Sequence, residues 1–191
     1  MKPDFDNAEY LARELRLIQN NDSLSLDVRK MNFDKPIIID TFQNYSKLTN
    51  IPLEKITAKG KLKDGYTIIT DNVYIILYNI ESLYSERLNW TLAHEVGHIY
   101  LGHTKDKQKE EIEAHWFAAE LLAPETIIKS LAKLRNQFEK KVNVLDLQDM
   151  FHISYEASEK RIESLNRKCM WNIYLENEII NKYQKQIMSM V

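Results

Sequence analysis

Thr91-Leu92-Ala93-His94-Glu95-Val96-Gly97-His98 decides how the rest of this chain is read. On a helix, residues four apart share a face, so His94 and His98 project together. Two neutral imidazoles at that spacing can grip one Zn2+. Glu95, beside the first histidine, is then placed to take a proton from a water molecule that the metal activates. A zinc hydrolase, most simply a peptidase, is what the pentapeptide implies. A shuffled chain of this composition would show the pattern about one time in a hundred, so its surroundings must support it. They do: Ser85 to Gly102 reads as one helix, with Leu92, Val96 and Ile99 as its apolar stripe. His94 and His98 lie off that stripe and can face a cleft. The competing reading is an ordinary amphipathic helix that carries two unrelated histidines.

The composition sets the frame. At 191 residues, with 44% hydrophobic and 28% charged residues, the chain can bury a real core. A net charge of −2 argues against bulk electrostatic binding of nucleic acid. The single cysteine, Cys169, excludes an internal disulfide framework and fits a reducing compartment. No apolar run reaches the roughly 18–20 residues that span a bilayer. Met1 to Glu9 is acidic and polar, unlike a signal peptide. The expectation is a cytoplasmic protein with no membrane partner, in which a peptidase must be selective or kept in check.

Working outward, Glu9 to Ile18 has helical periodicity, and Asn20 to Ser25 is a turn-rich break. Pro36 to Asp40 suits a short buried strand or the first turn of a helix. Phe42, Tyr45 and Leu48 at helical spacing favour a helix over residues 37–48, closed by Thr49-Asn50-Ile51-Pro52. Gly60 and Gly65 punctuate a loop or an early hairpin. Tyr66 to Thr70 and Val73 to Tyr78 are rich in β-branched and aromatic residues, and Asp71-Asn72 between them has hairpin chemistry. An antiparallel hairpin feeding the metal helix follows. Its open edge could pair with an extended substrate, or the strand could simply cover the core.

After a polar loop over 103–109, Glu110 to Leu122 reads as a second helix, which Pro124 stops or follows with another. Residues 124–134, 144–151 and 154–166 read as three short helices, the last N-capped by Ser154, and 171–190 as a terminal amphipathic helix. There is neither an internal repeat nor a low-complexity linker.

Two blocks, Thr91 to His98 with Leu101-Gly102-His103, and Glu111-Ile112-Glu113-Ala114-His115-Trp116-Phe117-Ala118-Ala119-Glu120-Leu121-Leu122-Ala123-Pro124, resemble the ImmA/IrrE family of metallopeptidases. The resemblance covers residues 60–166 well and the first helix more loosely. It implies an α+β fold: a zincin-like core with a small antiparallel sheet, the HExxH helix, a Glu-bearing helix after it, and a C-terminal helical region. On that reading 1–123 is the catalytic core and 124–191 a helical C-terminal subdomain. Two residues depart from the family pattern, His115 in place of the usual Asn and Ala123 in place of a frequent Met. Longer members carry a DNA-binding or sensor module, for which this chain has no room.

A catalytic zinc needs a third protein ligand and an open fourth position. The family pattern, with Glu three residues before the Ala of an Ala-Asn pair, selects Glu111 as ligand and leaves Glu113 as runner-up. Glu111 and His115 are four apart and share a face, while Glu113 points elsewhere. His115 is expected to orient a ligand, the alternatives being an extra ligand that closes the site or no role at all. Glu110, Glu113 and Glu120 read as solvated or capping charges, and His103 as a cation at the end of the metal helix. The further oxyanion donor has no signature among the ten tyrosines.

The resemblance also implies the substrate: a regulatory protein, namely a helix-turn-helix repressor of a phage, mobile element or stress response. A latent zincin acting as a metal-stabilised protein-binding module is the alternative. Val144 to Leu165 has the look of a helix–turn–helix pair, but Glu156 stands among Lys160 and Arg161, so docking of a protein substrate is favoured over DNA contact.

Overall fold

β-Branched residues and helix caps divide the first third of the chain differently from the periodicity. The structure, a computed structural model, describes residues 2–57, 64–80, 84–104, 107–137, 141–165 and 173–191; Gly60 and Cys169 lie outside them. Helix α1 (Phe5–Leu17) is N-capped by Asp4, whose carboxylate accepts from the Asn7 amide. After a 3-10 turn at Val28–Lys30, residues 37–41 form strand β1 (Ile37–Thr41) instead of the expected helix start. Three successive isoleucines favour the extended chain. Thr41 ends the strand and caps α2 (Phe42–Thr49), accepting from the Asn44 amide at 3.0 Å. The spacing of Phe42, Tyr45 and Leu48 therefore belongs to a helix that begins only after the strand. The short α3 (Leu53–Thr57) follows.

The hairpin is β2 (Gly65–Ile69) and β3 (Tyr74–Tyr78), antiparallel as expected. The sheet as a whole is mixed rather than antiparallel. Its order is β1-β3-β2, and β1 runs parallel to β3 from Ile37↔Tyr74 to Thr41↔Tyr78. A parallel neighbour needs a crossover connection, and α2 and α3 stand within that connection. Central β3 is buried on both faces, because successive side chains alternate. Ile76 enters the main core, while Leu77 packs with Phe42 and Ile56 on the other side.

Then come α4 (Ser85–Tyr100), α5 (Gln108–Leu122), α6 (Glu125–Asn136), α7 (Val144–Phe151), α8 (Tyr155–Ser164) and α9 (Ile173–Ser189), close to the helices read from the sequence. Ser154 caps α8, accepting from the Ala157 amide. One apolar cluster joins Ala8, Ala12 and Leu15 of α1, Leu92 and Val96 of α4, Phe117 and Leu121 of α5, Ile128 and Leu131 of α6, and Tyr183 and Ile187 of α9. Among the described residues no helix is long and apolar enough to cross a membrane.

Two features fix α5 in place. The first is Gly97 on α4. A Cβ there would stand 3.1 Å from Phe117 Cδ1 and 3.2 Å from the Ala114 carbonyl, so the two helices touch almost backbone to backbone. The second is Glu120, which is not the solvated charge expected but is wholly buried. Its carboxylate accepts from Arg13 Nε of α1 at 2.7 Å, from the Glu125 amide at 3.2 Å and from Arg161 of α8. Burial pushes the Glu120 pKa up, but the two guanidiniums override it and hold the carboxyl below its usual range. Three helices are thus pinned to α5 through one side chain.

Two outcomes follow from this packing. Glu120→Ala leaves the buried Arg161 without its carboxylate and Arg13 with only Glu9 and Glu176, and should cost about 3–5 kcal/mol in urea denaturation. Because the folded pKa is depressed, the stability from Glu120 is complete above about pH 4.3 and is lost as the pH falls through the folded value, so the variant's deficit should shrink in acid. Gly97→Val forces α4 and α5 apart and should destabilise by about 1–3 kcal/mol in urea denaturation; wild-type stability in this variant would contradict the tight contact.

Candidate metal centre

The close approach at Gly97 sets α5 so that Glu111, one turn before Ala114, faces α4. The His94 and His98 Nε2 atoms are 3.0 Å apart. Glu111 Oε2 lies 3.3 Å from His94 Nε2, and Oε1 lies 3.5 Å from His98 Nε2. His94, His98 and Glu111, named from sequence, are thus brought to one point. Two ligands of a tetrahedral zinc, each about 2.0–2.1 Å from the ion, stand about 3.3 Å apart, so these separations and this N/N/O donor set suit such an ion. The imidazoles are largely covered, whereas the Glu111 side chain is 38% exposed, so the cluster opens to solvent on the α5 side.

His115, one turn beyond Glu111, lies on that open side. Its ring centroid is 4.4 Å from that of His94, and a nitrogen of each ring and a Glu111 oxygen lie within 4.8 Å of one another. The cluster therefore offers a second set of three, His94, Glu111 and His115. His98 and His115 thus both border the His94–Glu111 pair. Partial enclosure of the His115 ring, aided by Lys160 and opposed by Glu111, holds its pKa below that of an ordinary histidine.

Glu95 is the next residue along α4 from His94 and turns toward the sheet. Thr67 Oγ1 of β2 donates to Glu95 Oε2 at 2.7 Å. The sequence offered no signal for Thr67: a threonine in a β-rich segment is ordinary, and only the packing of β2 against α4 reveals its partner.

Glu113, the runner-up to Glu111, is not the solvated charge expected: its partners are the Asp4 amide, Lys109 and His103. It is buried, and its Oε1 accepts from the Asp4 amide at 2.5 Å and lies 3.2 Å from Lys109 Nζ. Its Oε2 is 3.2 Å from His103 Nε2, and His103 Nδ1 is 3.0 Å from His98 Nδ1. Burial raises the Glu113 pKa, yet the Asp4 amide, Lys109 and His103 more than offset that and keep it below the usual carboxylate range. His103 is likewise not left facing solvent at the helix end, but lies between His98 and Glu113. The turn that ends α4 explains this. Gly102 adopts φ +70°, a left-handed conformation that favours glycine, the His103 amide donates to the His98 carbonyl at 2.9 Å, and the Gly102 amide to the Ile99 carbonyl at 3.3 Å. This is a Schellman closure, and it folds His103 back under His98. Glu110 serves as a cap, accepting from the Lys107 amide at 3.2 Å.

A second acidic group, Glu9, Glu120 and Glu125, brings three buried carboxylates together. Arg13, Arg161 and Lys129 pair with them, so this group is a charge-balanced structural network.

The model of a peptidase family described as the IrrE N-terminal-like domain matches residues 48–163, more than half of the chain, from the end of α2 into α8. No curated protein and no solved structure matches the chain significantly. With the histidine pair, the glutamate between them and the Glu111-bearing helix all inside the matched span, the chain belongs to peptidase family M78, of the IrrE N-terminal-like type.

Proposed function

We propose that the chain is a zinc-dependent endopeptidase with a zincin-like core. The observation that carries this reading is the meeting of His94 Nε2, His98 Nε2 and the Glu111 carboxylate within 3.5 Å, with Glu95 next to them on the same helix. Three lone-pair-bearing groups at that separation are relieved by a shared cation. The residues His94, His98 and Glu111 would hold it. Zn2+ there supplies Lewis acidity, which lowers the pKa of a water molecule and polarises a scissile carbonyl.

The chain's own groups do the rest. Glu95 accepts the proton of the attacking water at a carboxylate oxygen and returns it to the leaving amine nitrogen as the C–N bond breaks. Thr67, by donating to Oε2, keeps the Glu95 carboxylate oriented between β2 and the cluster. Among the described residues β2 is an outer strand of the β1-β3-β2 order, so an extended peptide can pair along its outer edge, close to Glu95.

The substrate we infer is a regulatory protein, a helix-turn-helix repressor of a phage, mobile element or stress response, cut in the cytoplasm; this extends the family membership. Helices α7 and α8 fit a protein-docking role better than a DNA-reading one. Arg161 of α8 is committed to Glu120, and Lys160 pairs with Glu156 at 2.6 Å, so α8 presents little free positive charge. The second reading, a latent zincin that binds proteins without cutting them, draws on the nearness of His115 to His94 and Glu111: a fourth protein ligand would fill the open position.

The variants separate these readings. Glu95→Gln should retain one zinc per chain and lose about 10²–10⁴-fold in cleavage of the helix-turn-helix regulator encoded beside the gene. Glu111→Ala should lose the zinc in elemental analysis. Zinc retained by Glu111→Ala would move the third ligand to His115. Zinc bound with no cleavage by the wild type, restored in His115→Asn, would establish the latent form.

A further inference from the structure

Resting on the metal-centre reading above, we propose that His103 is a positioning residue that, anchored by Glu113, fixes the tautomer and the ring of His98 so that Nε2 presents its lone pair to the metal. The proton inventory of the contacts leads to this. A carboxylate accepts only, so the 3.2 Å contact of Glu113 Oε2 with His103 Nε2 puts a proton on that nitrogen. With a single ring proton, held at Nε2 by Glu113, His103 has a bare Nδ1, which accepts. Its neighbour at 3.0 Å, His98 Nδ1, must be the donor. A neutral His98 with its proton on Nδ1 has its lone pair on Nε2, the atom that faces His94 and Glu111.

The anchor is built for the purpose. Glu113 is buried and held at its other oxygen by the Asp4 amide and Lys109, so it cannot swing away from His103. The Schellman closure fixes the backbone of His103 to that of His98. Hydrogen-bond partners beyond the ligand itself are worth about 10–100-fold in metal affinity, by orienting the ring and raising its basicity.

The test uses the full chain, with zinc itself as probe. Imidazole 15N spectra of the metal-free protein read the His98 tautomer, and chelator competition reads zinc affinity. Wild type should show His98 protonated at Nδ1, the form that free histidine disfavours. His103→Leu should lose that signature and bind zinc about 10–100-fold more weakly. His103→Asn, whose side-chain oxygen can accept where Nδ1 did, should keep the signature and recover most of the affinity. A wild-type His98 protonated at Nε2 overturns the proposal even if the Leu variant does not fold. So does unchanged zinc affinity in His103→Leu, or equal loss in the Leu and Asn variants. Failure of the wild type to bind zinc defeats the metal-centre reading instead, and the His98 tautomer still decides the positioning role of His103.

Discussion

The contact of α4 with α5 at Gly97 is the constraint on which the site depends. Phe117 and the Ala114 backbone occupy the space that any side chain at 97 would need. Helices ordinarily pack with axes 8–10 Å apart, set by the side chains at the contact, and the small Gly97–Ala114 pair belongs to the near end of such packing. Only there can a carboxylate as short as Glu111 reach two imidazoles on the facing helix. The HExxH pattern fixes two of the proposed donors by helical geometry alone; the proposed third comes from packing, and the packing rests on a missing Cβ.

Charge is handled in two separate places around this contact. At one end of α5, Glu120 is enclosed and neutralised by Arg13 and Arg161, which ties α1 and α8 to the helix that carries Glu111. At the other, Glu113 gathers the Asp4 amide, Lys109 and His103. Neither carboxylate competes for the cluster of His94, His98 and Glu111, because each already faces donors of its own. The alternation along α5 is a consequence of helical phase: 111 and 115 turn toward α4's histidines, 113 and 120 turn into the protein.

The chain discloses some of this directly and hides the rest. The meeting of His94 and His98 beside Glu95 is legible because it depends on spacing within one helix. The β2–β3 hairpin and the helices from α4 to α9 are legible through β-branched runs, Asp71-Asn72, Pro124 and the Ser154 cap. The run Ile37–Ile39 was ambiguous, since a short apolar stretch suits strand and helix alike; its pairing with β3, 37 residues on at Ile37↔Tyr74, settles it as a parallel strand. That pairing also makes the sheet mixed. Thr67, His103, Glu113 and Glu120 are opaque for the same reason. Each acts on a partner that only the tertiary fold brings near, and acidic residues in a helix usually face solvent. The Gly102-His103 pair did carry a local signal, a glycine just past a helix end, which predicts a left-handed turn but not which side chain that turn returns to the helix.

The central claim is that two histidines of α4 and one glutamate of α5 hold a zinc ion. X-ray absorption at the zinc edge of the full chain, loaded with one equivalent of metal, tests it most directly. The account predicts two imidazoles at about 2.0–2.1 Å with the remaining shell made of oxygen and no sulfur. A shell of three imidazoles would replace one of the assigned ligands or add His115, and zinc found only in the weakly bound fraction would contradict the centre altogether.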